Sequence, residues 1–168
     1  LAFLTQIFGS TANTGHAWMP GLIIAFLATP IAHEIVHGLA FSAFGGTPKY
    51  GVGFMALLPV AYATAPGYKF TKLPMLIIGL APLFTITPLA ILVSALSPSL
   101  APYMVVIIIA NTAGAIGDLW LCSQLVKYWS VPTVAFEDQK DLMFVTASTA
   151  QDKKLVNKIY KRLEKKEA

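Results

Sequence analysis

Four residues of this sequence are of types that do chemistry and stand where such types are costly to keep: His33, Glu34, His37 and Asp118. The first three belong to the run His33-Glu34-Ile35-Val36-His37, an H-E-x-x-H pattern. On a helix, imidazoles four residues apart project from one face and can grip a single metal ion, with zinc the natural occupant. Glu34 stands about 100° around the helix from His33, near enough to reach a metal-bound water without being a ligand. Zinc brings the pKa of such a water towards neutrality, and Glu34 could take its proton as general base during attack on a carbonyl. A catalytic zinc keeps three protein ligands and one open position, so a third ligand must come from elsewhere.

Asp118 is the candidate for that ligand. Through the first 136 residues the chain contains only two carboxylates, Glu34 and Asp118, and both interrupt long apolar stretches. An ionisable group at membrane depth costs several kcal/mol and needs a partner or a wet cavity. Neither acid has a Lys or Arg in its own stretch, and a metal ion would supply the missing positive charge. Asn111 precedes Asp118 by seven residues, on the same helical face, and could orient a ligand or a substrate backbone. Gly114 and Gly117 would let a helix or substrate approach that face closely. Cys122, the single cysteine, excludes an internal disulfide and a multi-cysteine zinc site, and reads as a small buried residue. His16 reads as an exposed histidine remote from the site.

The elements that must position these groups are apolar and long. Pro20–Phe44 is interrupted only by the H-E-x-x-H residues and ends at Gly45-Gly46-Thr47-Pro48. A second stretch runs from about Leu73 to Leu96, with kinks expected at Pro74, Pro82 and Pro88, and a third from about Tyr103 to Val126. Each is long enough for a helix to cross a hydrocarbon core, which takes about 20 residues. Between the first two, Tyr50, Val52 and Phe54 alternate with Gly51 and Gly53, which reads as a strand. Pro59 and Pro66 limit its continuation, so a hairpin or re-entrant loop is expected. Thr133–Phe136 and Leu142–Thr146 flank a polar run and suggest a second hairpin. Gln151–Glu167 has Leu155, Ile159 and Leu163 on a narrow stripe and predicts an amphipathic helix. Residues 1–19 are mixed and give an interfacial segment or the end of an earlier helix.

Charge distribution orients the spans. Charged residues make up 12% of the chain, about half the share of a soluble domain, which points to lipid. All Lys and Arg lie at or after position 49, eight of the twelve from Lys140 onward. By the positive-inside rule the N-terminus is outside, and residues 45–72 and the tail are cytoplasmic. No aromatic-basic platform accompanies the charge, so nucleic acid is not expected as a partner. On this topology the first and third spans run in the same direction. His37 and Asp118 then lie about 12 and 14 Å from the lysine-bearing surface, at one level. The chain opens at Leu1, as a fragment or processed chain would, with no secretory signal pattern.

The order His33-Glu34-Ile35-Val36-His37-Gly38, then Ala61-Tyr62 through Pro66-Gly67, then Asn111 through Gly117-Asp118 resembles a bacterial family of membrane zincin peptidases. The plan is similar to that of the site-2 protease group of intramembrane zinc metalloproteases. The chain departs from the site-2 pattern at Asp118, which follows Gly117 and precedes Leu119. The resemblance implies His33, His37 and Asp118 as zinc ligands and Glu34 as catalytic base. It also implies that the strand carrying Tyr50, Val52 and Phe54 sits near the site and pairs with an extended substrate.

The expectation is therefore a mainly α, polytopic membrane protein of three core transmembrane helices. A small β element follows the first helix, and a cytoplasmic hairpin and helix form the tail. Residues 1–130 would form a membrane-embedded metalloprotease domain and 131–168 a cytoplasmic tail. Its function would be zinc-dependent hydrolysis of a membrane-bound protein or peptide in a bacterial plasma membrane. Two rival readings are a non-catalytic metal-binding membrane protein and a scaffold that retains the protease fold. A metal permease would need polar groups at several depths, whereas this chain concentrates them at nearly one.

Overall fold

In a computed structural model, residues 18–55, 58–127, 129, 133–138, 141–146 and 154 are described. His16, all but the last two residues of the segment expected at 1–19, and the tail helix expected at Gln151–Glu167, apart from residue 154, lie outside these residues. Three helices follow from the three apolar stretches: α1 (Met19–Ala43), α2 (Lys72–Leu96) and α3 (Ala101–Lys127). A single 3-10 turn, Pro98–Leu100, leads into α3. The expected boundaries hold to within two residues at every end, and each helix is long and apolar enough to span a membrane. Their outward side chains are apolar too: Ile24, Phe84 and Ile109 are all more than half exposed.

α1 ends where its glycines begin. Gly45 has φ of 82°, a conformation that costs a residue with a Cβ and costs glycine little. The Gly46 N–H donates to the Phe41 carbonyl at 2.9 Å and the Gly45 N–H to the Ser42 carbonyl at 3.0 Å. These two bonds form a Schellman cap and satisfy carbonyls that the helix end would otherwise leave without an internal partner. α2 runs as one helix through Pro82 and Pro88, and Pro74 falls in its first turn, where a missing N–H does little harm. The prolines expected to kink α2 thus remove backbone donors without ending the helix.

The chain divides into two compact units. One comprises residues 1–33 and 82–116, the other 34–81 and 117–168, so the division falls inside continuous helices. In the first unit Gly21 admits the ring of Tyr103, which a Cβ there would overlap. Pro82, Ala90, Ala101, Pro102, Asn111 and Ala115 are its buried residues on α2 and α3.

The second unit holds both sheets and an apolar core of Phe41, Ala65, Phe70, Met75, Ile78 and Leu125. Strands β1 (Lys49–Met55) and β2 (Leu58–Thr64) pair antiparallel, from Lys49 opposite Thr64 to Met55 opposite Leu58. This is the hairpin expected from the Tyr/Val/Phe alternation, and it continues through Pro59. A two-stranded ribbon has an outer edge on each strand, where a residue without an N–H breaks no ladder bond. β3 (Lys69–Phe70) pairs with β4 (Thr133–Asp138), which pairs with β5 (Asp141–Thr146), giving the order β3-β4-β5. The β4-β5 hairpin was expected. The attachment of β3 was not, because two residues carry no readable period. Phe70 packs on Phe41 with ring centroids 5.4 Å apart, which ties the end of α1 to β3. Lys72, buried at the start of α2, donates its Nζ to the Trp129 carbonyl beyond α3.

Candidate metal centre

Helix α1 carries His33 and His37 one turn apart, both buried. The support of each ring can be traced to a particular neighbour.

In the first unit, His33 Nδ1 lies 2.9 Å from Asn111 Oδ1. Asn111 is completely buried, and its Nδ2 donates to the Pro82 carbonyl at 3.1 Å and to Thr87 Oγ1 at 3.0 Å. A backbone carbonyl can only accept, so the amide must turn its NH2 towards Pro82 and its oxygen towards His33. That oxygen in turn can only accept, so His33 Nδ1 carries the proton. Nε2 is then the lone-pair nitrogen of the neutral ring, the state a metal needs.

In the second unit, His37 Nδ1 lies 3.0 Å from the Ile78 carbonyl. That carbonyl would ordinarily accept from the N–H four residues on in α2, but residue 82 is proline and has none. Pro82 thus releases an acceptor, and His37 Nδ1–H uses it. The same logic leaves the lone pair of a neutral His37 on Nε2, which faces Asp118 Oδ2 at 3.3 Å. Two acceptors do not approach one another without a cation between or upon them. A shared proton or a metal ion meets that demand.

His33, His37 and Asp118 each offer one ligand atom, and these atoms lie within 4.8 Å of one another. His33 and His37 are fixed relative to each other by one turn of α1, and Asp118 is fixed by its contact with His37. Zinc bonds of about 2.0–2.1 Å to nitrogen and oxygen place tetrahedral ligands about 3.3–3.4 Å apart. The His37–Asp118 separation matches that edge, and the donor set fits zinc in kind. Cys122 stands outside the group. It is buried, its Sγ lies 3.9 Å from the Leu76 carbonyl, and a Cβ on Gly79 would crowd it.

Glu34 is half-buried and not a member of the group. Its Oε2 accepts from the Ala63 N–H of β2 at 2.7 Å. A donor spent on Glu34 is not spent on β1, so Ala63 turns its backbone to the outer edge of the ribbon. By the two-residue alternation of antiparallel pairing, Ala61 and Pro59 share that orientation. Tyr50, opposite Ala63, places its hydroxyl against Gly38, so close that a Cβ there would overlap it. Val52 and Phe54 share Tyr50's face and are 70% and 78% exposed. Gly114 lies beside the His33 ring, where an added Cβ would make ordinary 3.6 Å contact. For Gly117 the expectation of a close approach fails: among the described residues a Cβ there would meet nothing within 4 Å.

The structure thus brings His37 and Asp118 into contact and Asn111 onto His33. Three participants escaped sequence reasoning: the Ile78 carbonyl, Thr87 and the Ala63 N–H. A proline one turn beyond a carbonyl inside a span was the signal available for the first. No signal marked the other two.

No curated protein and no solved structure matches the chain. A family model does, over residues 26–130, the stretch that includes most of α1, both ribbon strands, Asn111 and Asp118. The chain belongs to the family described as "Putative zincin peptidase", whose name implies a zinc metallopeptidase.

Proposed function

We propose that the chain is a membrane-embedded zinc metalloprotease that hydrolyses peptide bonds of a membrane-bound protein or peptide. Its zinc ligands are His33, His37 and Asp118, and Glu34 is the general base. The observation that carries this reading is the apposition of His37 Nε2 and Asp118 Oδ2 at 3.3 Å, with His37 Nδ1 already committed to a carbonyl. A zinc ion bound there supplies Lewis acidity to a water and to the scissile carbonyl.

The chain's own groups do the rest. Glu34 accepts the proton of the attacking water and passes it to the departing amine. The Ala63 N–H holds one oxygen of that carboxylate and so fixes its direction. Asn111 and the Ile78 carbonyl hold the two imidazoles in one tautomer. The face bearing Tyr50, Val52 and Phe54 takes substrate side chains, and the extended substrate pairs with the ribbon.

Membrane insertion is supported by three apolar helices whose outward side chains water would penalise. The positions of the lysines support a cytoplasmic side for residues 45–72 and the tail, with the N-terminus outside, in what this reading takes to be a bacterial plasma membrane. Reporter fusions at the 97–102 turn and after residue 130 test this orientation, which requires opposite sides for the two.

Metal content of the detergent-purified protein tests the site. About one zinc ion per chain is expected, and its loss in both His37→Ala and Asp118→Ala. Loss in His37→Ala alone would move the third ligand elsewhere. No zinc in folded wild type would leave the His37–Asp118 contact as an ion pair, and the scaffold reading would replace the enzyme. Glu34→Gln should keep the metal and abolish turnover, since the amide cannot take a proton.

A further inference from the structure

We propose that the phenol of Tyr50 is the hydrogen-bond donor to the oxyanion formed during hydrolysis. The inference rests on the zinc-peptidase reading above and adds the electrophilic group that the ligands and base leave unassigned. Hydrolysis of an amide puts negative charge on the carbonyl oxygen, and a donor aimed at that oxygen is among the largest contributions a site can make.

Asn111, the amide on the face of Asp118, is not available for this role. It is fully buried, and its amide hydrogens go to the Pro82 carbonyl and Thr87 Oγ1. Tyr50 has the opposite character. Its side chain is about half exposed, so a substrate can reach it. Its hydroxyl rests against Gly38, four residues beyond Glu34 and so on the same face of α1, one turn on. Side-chain positions so related are about 5–6 Å apart, the width of a peptide group. Tyr50 is also the cross-strand partner of Ala63, whose N–H holds Glu34. One pair of opposed residues therefore brings a fixed base and a hydroxyl donor to the same face of one helix. Glycine at 38 is what lets the phenol descend there, since any larger residue would fill the place its hydroxyl takes.

In the step itself, attack of water on the carbonyl carbon forms a C–O bond and moves the carbonyl π pair onto oxygen. One water proton passes to Glu34. Tyr50 donates its O–H to the new oxyanion and keeps its proton throughout. Collapse restores the carbonyl, breaks the C–N bond and sends the proton from Glu34 to the leaving amine.

Two probe series with matched side chains separate this role from packing. Phosphinic dipeptides carry an oxygen where the tetrahedral species carries its charge, whereas mercaptoacyl analogues bind zinc through sulfur and present no such oxygen. With the zinc-loaded, detergent-purified protein, Tyr50→Phe should weaken the phosphinic series by about tenfold or more and leave the mercaptoacyl series and zinc content unchanged. Gly38→Ala, which displaces the phenol, should show the same selectivity. Equal weakening of both series, loss of zinc in Tyr50→Phe, or no change in either series would overturn the proposal while leaving the peptidase reading intact. A zinc-loaded wild type that binds neither series would overturn both.

Discussion

His33 and His37 belong to one motif and one helix, yet they are held by unlike devices. His33 is steadied by a side chain, the fully buried Asn111 amide, whose other bonds go to Pro82 and Thr87. His37 is steadied by the backbone, through a carbonyl that Pro82 has deprived of its helical donor. Both devices reach the same end, Nδ1–H committed and the lone pair left on Nε2. They differ in what each depends on. A side-chain clamp can be deleted by one substitution, whereas a backbone acceptor persists and can only be competed for.

That contrast sets the order of expected effects. Asn111→Leu removes the clamp on His33 and strips Thr87 of a buried partner. Zinc affinity should fall about 10- to 100-fold, the usual loss when the partner of a metal-bound histidine is removed. Competitive chelation titration of the purified variant measures this, and an affinity within twofold of wild type would mean that helix geometry alone orients His33. Pro82→Ala is gentler, because it restores an N–H that shares the Ile78 carbonyl without abolishing it. A several-fold loss of zinc affinity is expected together with a higher melting temperature of the metal-free protein, since proline is about 3 kcal/mol worse than alanine inside a helix. Opposite signs for affinity and stability are the signature of a proline kept for the carbonyl it releases. If both rose together, the released carbonyl would have no part in holding His37.

The same contrast explains what was legible in the sequence. The proposed ligands and base stood out because His33, Glu34, His37 and Asp118 interrupt long apolar stretches, and helix boundaries followed from hydropathy and from Gly45-Gly46. The depth argument that set His37 level with Asp118 needed only helical rise and charge placement, and the two side chains do meet. The supporting atoms could not be read this way. Asn111 was visible as a polar residue on the right face, but its partner among three histidines was a matter of tertiary packing. Pro82 suggested a kink; its effect on the hydrogen-bond inventory needed the position of His37 before it meant anything. The Ala63 N–H is a backbone group, which no side-chain pattern reports, and β3 is too short to show a period. Residue type announces chemistry, while orientation is supplied by groups that every residue possesses.

The bond between Ala63 and Glu34 offers the most selective of these tests, with no expected effect on zinc. It joins the ribbon to the helix through one backbone donor, so only a proline can remove it without adding a new side-chain function. The strand should accept the change, since Pro59 already stands at a position of the same parity and Tyr62, the preceding residue, is extended as a residue before proline must be. Ala63→Pro should leave zinc content unaltered, because neither histidine nor Asp118 depends on Ala63. Loss of a hydrogen bond to a carboxylate should lower stability by about 1–2 kcal/mol. Turnover should fall by about tenfold or less, carried by kcat, as Glu34 keeps its chemistry but loses its fixed direction. Rates and KM on any peptide that the wild type cleaves, with thermal melts beside them, check both parts. A loss of zinc would show that the ribbon holds the metal ligands, and unchanged kcat with lowered stability would make the bond a strut between β2 and α1 with no part in aiming the base.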